Sequence, residues 1–387
     1  MTLSSFIAMM VFADFGIGNG LMNAVAEAHG RGDKEALRGH IENALVILGL
    51  ISITILVIFF SVYHLVDWAR FFNVKTSTAI HEAGPALLVL LVCFALDISA
   101  GIVQRVQLGL QEGFANSIWQ AGGSVLGLLT TLLAINLKLG LPWLVAAMAG
   151  SPLVVMFLNG FTFLYVRHKE LFPNITRATR TGMKRILHGG LLFFVLQLGG
   201  SIAYASDNII IAKMLGATAV AQYSVVSKLF EGILMIQGLA ITPLWPAYAE
   251  AKACGDKQWI QKTLLRSMWL TLVVIIPVSI LLVAFNKPIF SRWVGSQHVF
   301  PFALVASYGG WMVLKGLGAT YSMFLNGLNV IRFQVVVVTI FVATSITLKV
   351  FLVNQLGLYG MPLALMVAYF ATVSVPYVMV TNKILKL

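Results

Sequence analysis

The sequence predicts an all-α, polytopic membrane protein built from two parallel-repeat helical lobes. Three observations predict it. First, 59% of the 387 residues are hydrophobic and only 10% are charged, against about 25% charged in ordinary soluble proteins. A water-soluble fold of this length could not hide so much apolar surface. Second, eleven apolar runs are each near the roughly 20 residues that a helix needs to cross a bilayer. They are too long for barrel strands and lack period-two alternation, which leaves helices as the way to satisfy the backbone in lipid. Third, AEAHGRGDK at 26–34 returns as AEAKACGDK at 249–257, at a constant offset of 223.

Taken in order, the runs lie near 2–25, 41–62, 85–104, 115–137 and 142–166 in a first lobe, residues 1–175. The second lobe, residues 176–387, holds 186–212, 217–245, 267–286, 301–325, 333–353 and 358–380. The two copies of the nine-residue connector each follow one run and precede the next, and Gly32 and Gly255 break the chain before an Asp-Lys helix start. Between the lobes runs RHKELFPNITRATRTGMKR, 167–185, basic and stopped by Pro173. It reads either as a hinge or as a solvated linker beside anionic headgroups. Pro152, Pro243, Pro277 and Pro362 are expected to kink the helices that carry them.

Sorting Lys and Arg by connector places 17 on one side (Arg31, Lys34, Arg167, Arg177 and Lys257 among them) and 6 on the other, with Lys228, Lys315 and Lys349 inside apolar runs. The richer side is cytoplasmic by the positive-inside rule. Both connectors and the C-terminus then face the cytoplasm and Met1 the outside. Two copies facing one compartment describe a repeat about an axis along the membrane normal. The second copy is preceded by two runs after the basic loop and the first by only one. The chain therefore either lacks a first helix or is an eleven-helix protein in its own right.

Several function classes are disfavoured. The net charge of +12 sits in connectors and forms no stripe for nucleic acid. Cys93 lies in an apolar run and Cys254 in a polar connector, a poor pair for a disulfide or a metal. GIGNG lacks the spacing of a dinucleotide loop, HEAGP at 81–85 lacks the second His of a zinc protease, and no Walker motif appears. The N-terminus has no basic region of a signal peptide, and the Asn174 sequon falls in a cytoplasmic segment. An integral membrane glycosyltransferase or polymerase would need a charged outer loop; the longest here, 63–84, carries only Asp67 and Glu82 as carboxylates.

Ionisable residues inside apolar helices are the strongest functional markers, since each costs roughly 2.5–3.5 kcal/mol on insertion scales. Asp14, Asp97, Asp207, Lys228, Glu231, Lys315 and Lys349 qualify. Lys228 can pair with Glu231 one turn on or with Asp14 of the other lobe. Asp97 can cap or pair with Arg105. Lys349 is expected to snorkel to the outer interface. Lys315 has no local partner in the sequence, which makes it the leading candidate for a cavity-facing cation. Asp14, Arg105, Asp207, Lys228 and Lys315 are the candidate cavity residues, with Gln197, Tyr204, Gln237, Trp245 and Asn326 as subsidiary polar or aromatic contacts.

FADFGIGNGLMNAVAEAHGRGDKEAL, 12–37, resembles the second-helix signature of O-antigen-type polysaccharide-biosynthesis flippases, and SDNIIIAKMLGATAVAQYSVVSKLFE, 206–231, is similar to that family's seventh-to-eighth helix region. The family belongs to the multidrug/oligosaccharidyl-lipid/polysaccharide exporter superfamily, whose members have twelve helices in two lobes. The resemblance implies movement of an oligosaccharide on undecaprenyl diphosphate across a bacterial inner membrane, with the lobes opening alternately and no covalent chemistry. It implies no bound cofactor, leaves Na+ or H+ coupling open, and suggests a polysaccharide polymerase as a partner. The buried lysines suit a diphosphate. The buried carboxylates keep a cation-coupled multidrug exporter of the same superfamily as the alternative, and a scaffold without transport as a more distant one.

Overall fold

The computed structural model describes residues 12–74, 76–295 and 300–386. The opening of the first predicted run, residues 2–11, the expected outer placement of Met1, and Lys75 lie outside them. Among the described residues every regular element is helical and no strand occurs. Eight helical stretches are long and apolar enough to cross a membrane: Lys34–Tyr63, Ile80–Gly109, Gly113–Asn136, Leu141–Arg167, Arg180–Leu215, Ala217–Ala253, Lys257–Ala284 and Ile331–Leu385. The difference from eleven runs has specific causes. The last stretch holds two of the runs, and only the second part of the first run is described. The run near 301–325 is a helix, Phe302–Gly327, whose glycines, Lys315 and Asn326 dilute its apolar character.

The chain divides into two compact units, Met1–Phe194 and Val195–Leu387. The division falls inside a helix, beyond the basic linker. In the first unit α1 (Ile17–Gly30) packs on α2 (Lys34–Tyr63) and α3 (Ser77–Gly109), and α4 (Gly113–Asn136) packs on α5 (Ser151–Phe161). Ile17, Leu21, Val25, Ile41, Leu48 and Ile102 form its core. The linker is pinned to α2 by side chains: the Glu42 carboxylate accepts from the Asn174 backbone N–H at 2.8 Å and the Asn43 carbonyl from that of Thr179 at 2.9 Å. The following helix, α6 (Arg180–Leu215), begins in this unit. There Gly190 lies against the Ile17 backbone so closely that an added Cβ would come within 2.9 Å of Ile17 Cα, the small-residue contact that lets membrane helices approach.

In the second unit α7 (Ala217–Ile241) ends just before Pro243, and α8 (Leu244–Ala253) starts beyond it. Then come α9 (Lys257–Ala284), α10 (Phe302–Gly327), α11 (Ile331–Leu356), α12 (Gly360–Tyr369) and α13 (Val375–Lys386). Helix α10 is central and packs on α7, α8, α9 and α12. Phe230, Tyr248, Leu304, Trp311, Phe324 and Leu365 form the core around it. Pro277 lies inside α9, Pro152 at the start of α5 after a π-helical turn, and Pro362 at the start of α12. The chain reverses between α11 and α12 at Gly357, whose φ of 70° favours glycine.

The repeated connector folds the same way twice. At its first copy Gly32 has φ 69°, the Asp33 N–H donates to the Ala28 carbonyl at 3.0 Å, and the Asp33 carboxylate caps α2 by accepting from the Ala36 N–H at 2.9 Å. At the second Gly255 has φ 75°, the Asp256 N–H donates to Ala251 at 2.9 Å, and the Asp256 carboxylate caps α9 by accepting from Trp259 at 2.9 Å. Glycine closes one helix in the left-handed conformation and aspartate opens the next. The shared letters Gly-Asp-Lys are thus a helix stop, an N-cap and a first helical residue.

Candidate functional site

In the second unit five ionisable side chains on four helices form two ion pairs and leave one cation without an ion pair among the described residues. Asp207 on α6 and Lys349 on α11 form the first pair, with Lys349 Nζ 2.6 Å from Asp207 Oδ1. The ammonium group also donates to the Ala203 carbonyl and, at 3.1 Å, to Ser206 Oγ. The Tyr223 hydroxyl donates to Asp207 Oδ2 at 2.7 Å. Lys349 is 0% exposed, so its charge is met inside the protein, by two hydrogen bonds to Ala203 and Ser206 and by the ion pair with Asp207 Oδ1, an oxygen that accepts no hydrogen bond among the described residues. That is the condition under which a buried pair is tolerated. The expectation that Lys349 snorkels to the interface is therefore overturned. Its stem lies in the core, and its charge is met by a carboxylate that sequence distance hides.

Lys315 on α10 and Glu231 on α7 form the second pair, at 3.7 Å. Lys315 Nζ also lies 4.6 Å from the ring centroid of Tyr204, a favourable place for a cation. The pair differs from the first in two ways. It is longer than the 2.7–2.9 Å of a close charge-assisted hydrogen bond, and the Glu231 side chain is 53% exposed. Lys315 was expected to have no partner nearby; its partner sits on the neighbouring helix, out of sight of the linear pattern. Lys228 is exposed and makes no ion pair among the described residues of its own unit, so the pairing with Glu231 is not made. Within this group of five, three lysines stand against two carboxylates, an excess of one positive charge.

In the first unit the structure brings Asp14 and Arg105 together at 4.0 Å, and Arg105 Nη1 donates to Asn19 Oδ1 at 2.9 Å. Gly18 makes room for them. A Cβ there would lie 2.7 Å from Arg105 Nε and 2.9 Å from Asp14 Oδ2. Arg105 is thus committed to α1, and Asp97, expected to cap or to pair with it, makes no ion pair among the described residues.

The subsidiary residues separate into structural and available ones. Gln237 is buried and donates to Thr271 Oγ1 and the Gly316 carbonyl, both at 2.9 Å, so it ties α7, α9 and α10 together. Asn326 accepts from Gln334 at 2.9 Å, and Trp245 is buried. Tyr204 stacks into an aromatic group with Trp311 and Phe341, at centroid distances of 6.3 and 6.5 Å, and presents its ring to Lys315. The Gln197 side-chain oxygen is buried without a hydrogen-bond partner among the described residues. Tyr223 was assigned no site role from the sequence. Its signal, a tyrosine 16 residues from Asp207 across a helical turn, is too common to have singled it out.

Comparison with known proteins gives a consistent picture. A family model described as polysaccharide biosynthesis protein matches residues 1–252, and one described as MatE matches 194–354. A Salmonella typhimurium protein provisionally named an O-antigen transporter is 21% identical over 372 residues, covering 93% of this chain and 82% of that protein. Among solved structures, MATE in the bent conformation aligns with a TM-score of 0.83 at 18% identity, over 98% of this chain and 86% of that one. The outward-facing conformation of a multidrug resistance MATE family transporter of the MOP superfamily aligns at 0.80 and 17% identity, over 98% and 86%. A MOP superfamily transporter from Pyrococcus furiosus, described by the reversed polarity of its binding pocket, aligns at 0.79 and 16%, over 99% and 87%.

Proposed function

The chain belongs to the polysaccharide biosynthesis protein family, and from that premise we propose that it is a multi-pass membrane transporter of the MOP superfamily that flips a lipid-linked oligosaccharide. The cargo would be a repeat unit on undecaprenyl diphosphate, moved from the cytoplasmic to the outer leaflet of a bacterial inner membrane by alternating access. The C-terminus would be cytoplasmic, no covalent chemistry would occur, and a polymerase using the same repeat unit is the expected partner. Asp14, Arg105, Lys228 and Lys315 remain the proposed cargo-facing residues, whereas Asp207, enclosed in its pair with Lys349, is assigned to holding the fold beside them.

The observation that carries this reading is the contrast between the two lysine pairs. A diphosphate crossing hydrocarbon needs a mobile cation to meet it. Lys349 is enclosed and saturated by Asp207, Ser206 and Ala203, so it supports the fold. Lys315 is held loosely by a half-exposed Glu231 and by the Tyr204 ring. A phosphate oxygen can displace a 3.7 Å carboxylate contact at little cost, because an exposed ion pair contributes about 1 kcal/mol or less. Unpaired Lys228, one turn from Glu231, adds to the same positive balance.

The match of residues 194–354 to the MatE model favours a second reading, a cation-coupled multidrug exporter. The two are separated by parallel assays on the reconstituted chain. One follows exposure of the sugar of a lipid-linked oligosaccharide to an impermeant oxidant, and the other follows transport of a cationic dye. Sugar exposure that depends on the protein supports the flippase; dye movement without sugar exposure overturns it.

A further inference from the structure

A polar cavity of about 260 Å³ lies among α3, α4 and α5 of the first unit, apart from every ion pair described above. Asp97, Gln104, Trp119, Gln120, Ser124 and Asn159 line it. All six sit on stretches long and apolar enough to cross a membrane. Asp97 is twelve residues from the Gly109 end of its helix, about 18 Å at the helical rise, and its short side chain cannot reach an interface from there. A carboxylate at such a place is costly unless something polar meets it.

The other polar groups are unevenly committed. Asn159 is buried and exchanges two hydrogen bonds with Gln107, at 2.8 and 2.9 Å, so it forms a closed floor. Ser124 donates to the Gln120 carbonyl at 3.0 Å and keeps its lone pairs. The side chains of Asp97, Gln104, Trp119 and Gln120 make no hydrogen bond or ion pair among the described residues. Asp97 and Gln120 are exposed at the mouth, and Trp119 is half-buried beside them. Gly123 and Pro152 bring α4 and α5 into contact behind the tryptophan, where a Cβ on Gly123 would lie 3.2 Å from Pro152 Cα.

We infer that this cavity is a saccharide-binding subsite, sized for a single sugar ring. The donor set selects the ligand. One carboxylate accepts from a pair of neighbouring hydroxyls, two carboxamides both donate and accept, and the indole N–H donates. The flat face of Trp119 suits the C–H side of a pyranose. A cation would leave the indole N–H and both amide groups' donors unanswered, whereas sugar hydroxyls answer donors and acceptors alike. The inference rests on the saccharide cargo proposed above and gives its sugar a station in the first unit.

The test is ligand-observed saturation transfer on the full chain in micelles. The probes are methyl α-D-glucopyranoside, methyl α-D-galactopyranoside and methyl N-acetyl-α-D-glucosaminide, with tetraethylammonium as the cationic competitor. The wild type is expected to bind at least one glycoside. Asp97→Asn is expected to weaken it about tenfold, the usual consequence of losing a charged hydrogen bond. Trp119→Leu is expected to weaken it comparably, Trp119→Phe to retain most of the binding, and Lys315→Gln to leave it unchanged. Each variant is melted first, and Gln120→Ala at the exposed mouth serves if Asp97→Asn does not fold. Absence of any glycoside signal in the wild type, equal signals in wild type and variants, or competition by tetraethylammonium with no glycoside bound overturns the subsite. A chain that flips oligosaccharide without this binding loses the subsite and keeps the proposed function; one that binds glycosides here but flips nothing loses the function and keeps the subsite.

Discussion

Lys349 and Asp207 form an ion pair enclosed in the second unit, 2.6 Å apart, with Tyr223 donating to the second carboxylate oxygen. Removing one member leaves a buried charge unanswered. Lys349→Met and Asp207→Leu alone should each destabilise the protein by about 3–5 kcal/mol, whereas the double variant should recover most of the loss. Thermal melting in detergent measures both. Single variants that melt like the wild type would mean that the pair is wetted, not enclosed.

Gly32 and Gly255 hold φ of 69° and 75°, and Asp33 and Asp256 cap the helices that follow. Alanine at either glycine should cost about 1–2 kcal/mol, and alanine at either aspartate about 0.5–2 kcal/mol. The two copies should lose stability in the same order when melted side by side. A large loss at one copy and none at the other would mean that only one connector needs the shared geometry.

Gly327 lets α10 come close to α8. A Cβ there would lie 2.6 Å from the Trp245 carbonyl oxygen and 3.2 Å from the Ala249 nitrogen. Both neighbours are backbone and cannot rotate away, so Gly327→Ala should cost about 1–3 kcal/mol by overpacking. Gly232→Ala, which meets nothing within 4 Å, is the control and should be neutral or slightly stabilising by melting temperature.

Much of the fold was legible in the sequence, for physical reasons that also explain what was not. Long apolar runs report helices because lipid forbids other backbones, and the Gly-Asp-Lys repeat reports its own hydrogen bonds because stop and cap are local. Pairing between helices leaves no such trace. Lys349 finds Asp207 and Lys315 finds Glu231 across 142 and 84 residues of sequence. Local logic offered Lys228 with Glu231 and Asp97 with Arg105, and neither ion pair forms. The cavity beside Asp97 was hidden similarly, since Gln104, Trp119 and Gln120 mean nothing singly until two helices bring them to one place.

Glu231 competes with the cargo for Lys315 in this account. Glu231→Gln should therefore lower the substrate concentration needed for half-maximal flipping, by about fivefold at most for a pair this exposed. A loss of flipping as deep as that caused by removing Lys315 would contradict competition and assign Glu231 to holding the lysine in place.

The most direct measurement is the initial rate at which a lipid-linked oligosaccharide, placed in the inner leaflet of vesicles containing the protein, becomes open to an impermeant oxidant. It is compared in wild type, Lys315→Ala and Lys315→Arg, all checked for equal melting. The account predicts that Lys315→Ala slows the rate about tenfold or more, the worth of one charged contact to phosphate, and that Lys315→Arg keeps a substantial part of it. Flipping at the wild-type rate in Lys315→Ala would contradict the claim that this lysine carries the diphosphate across.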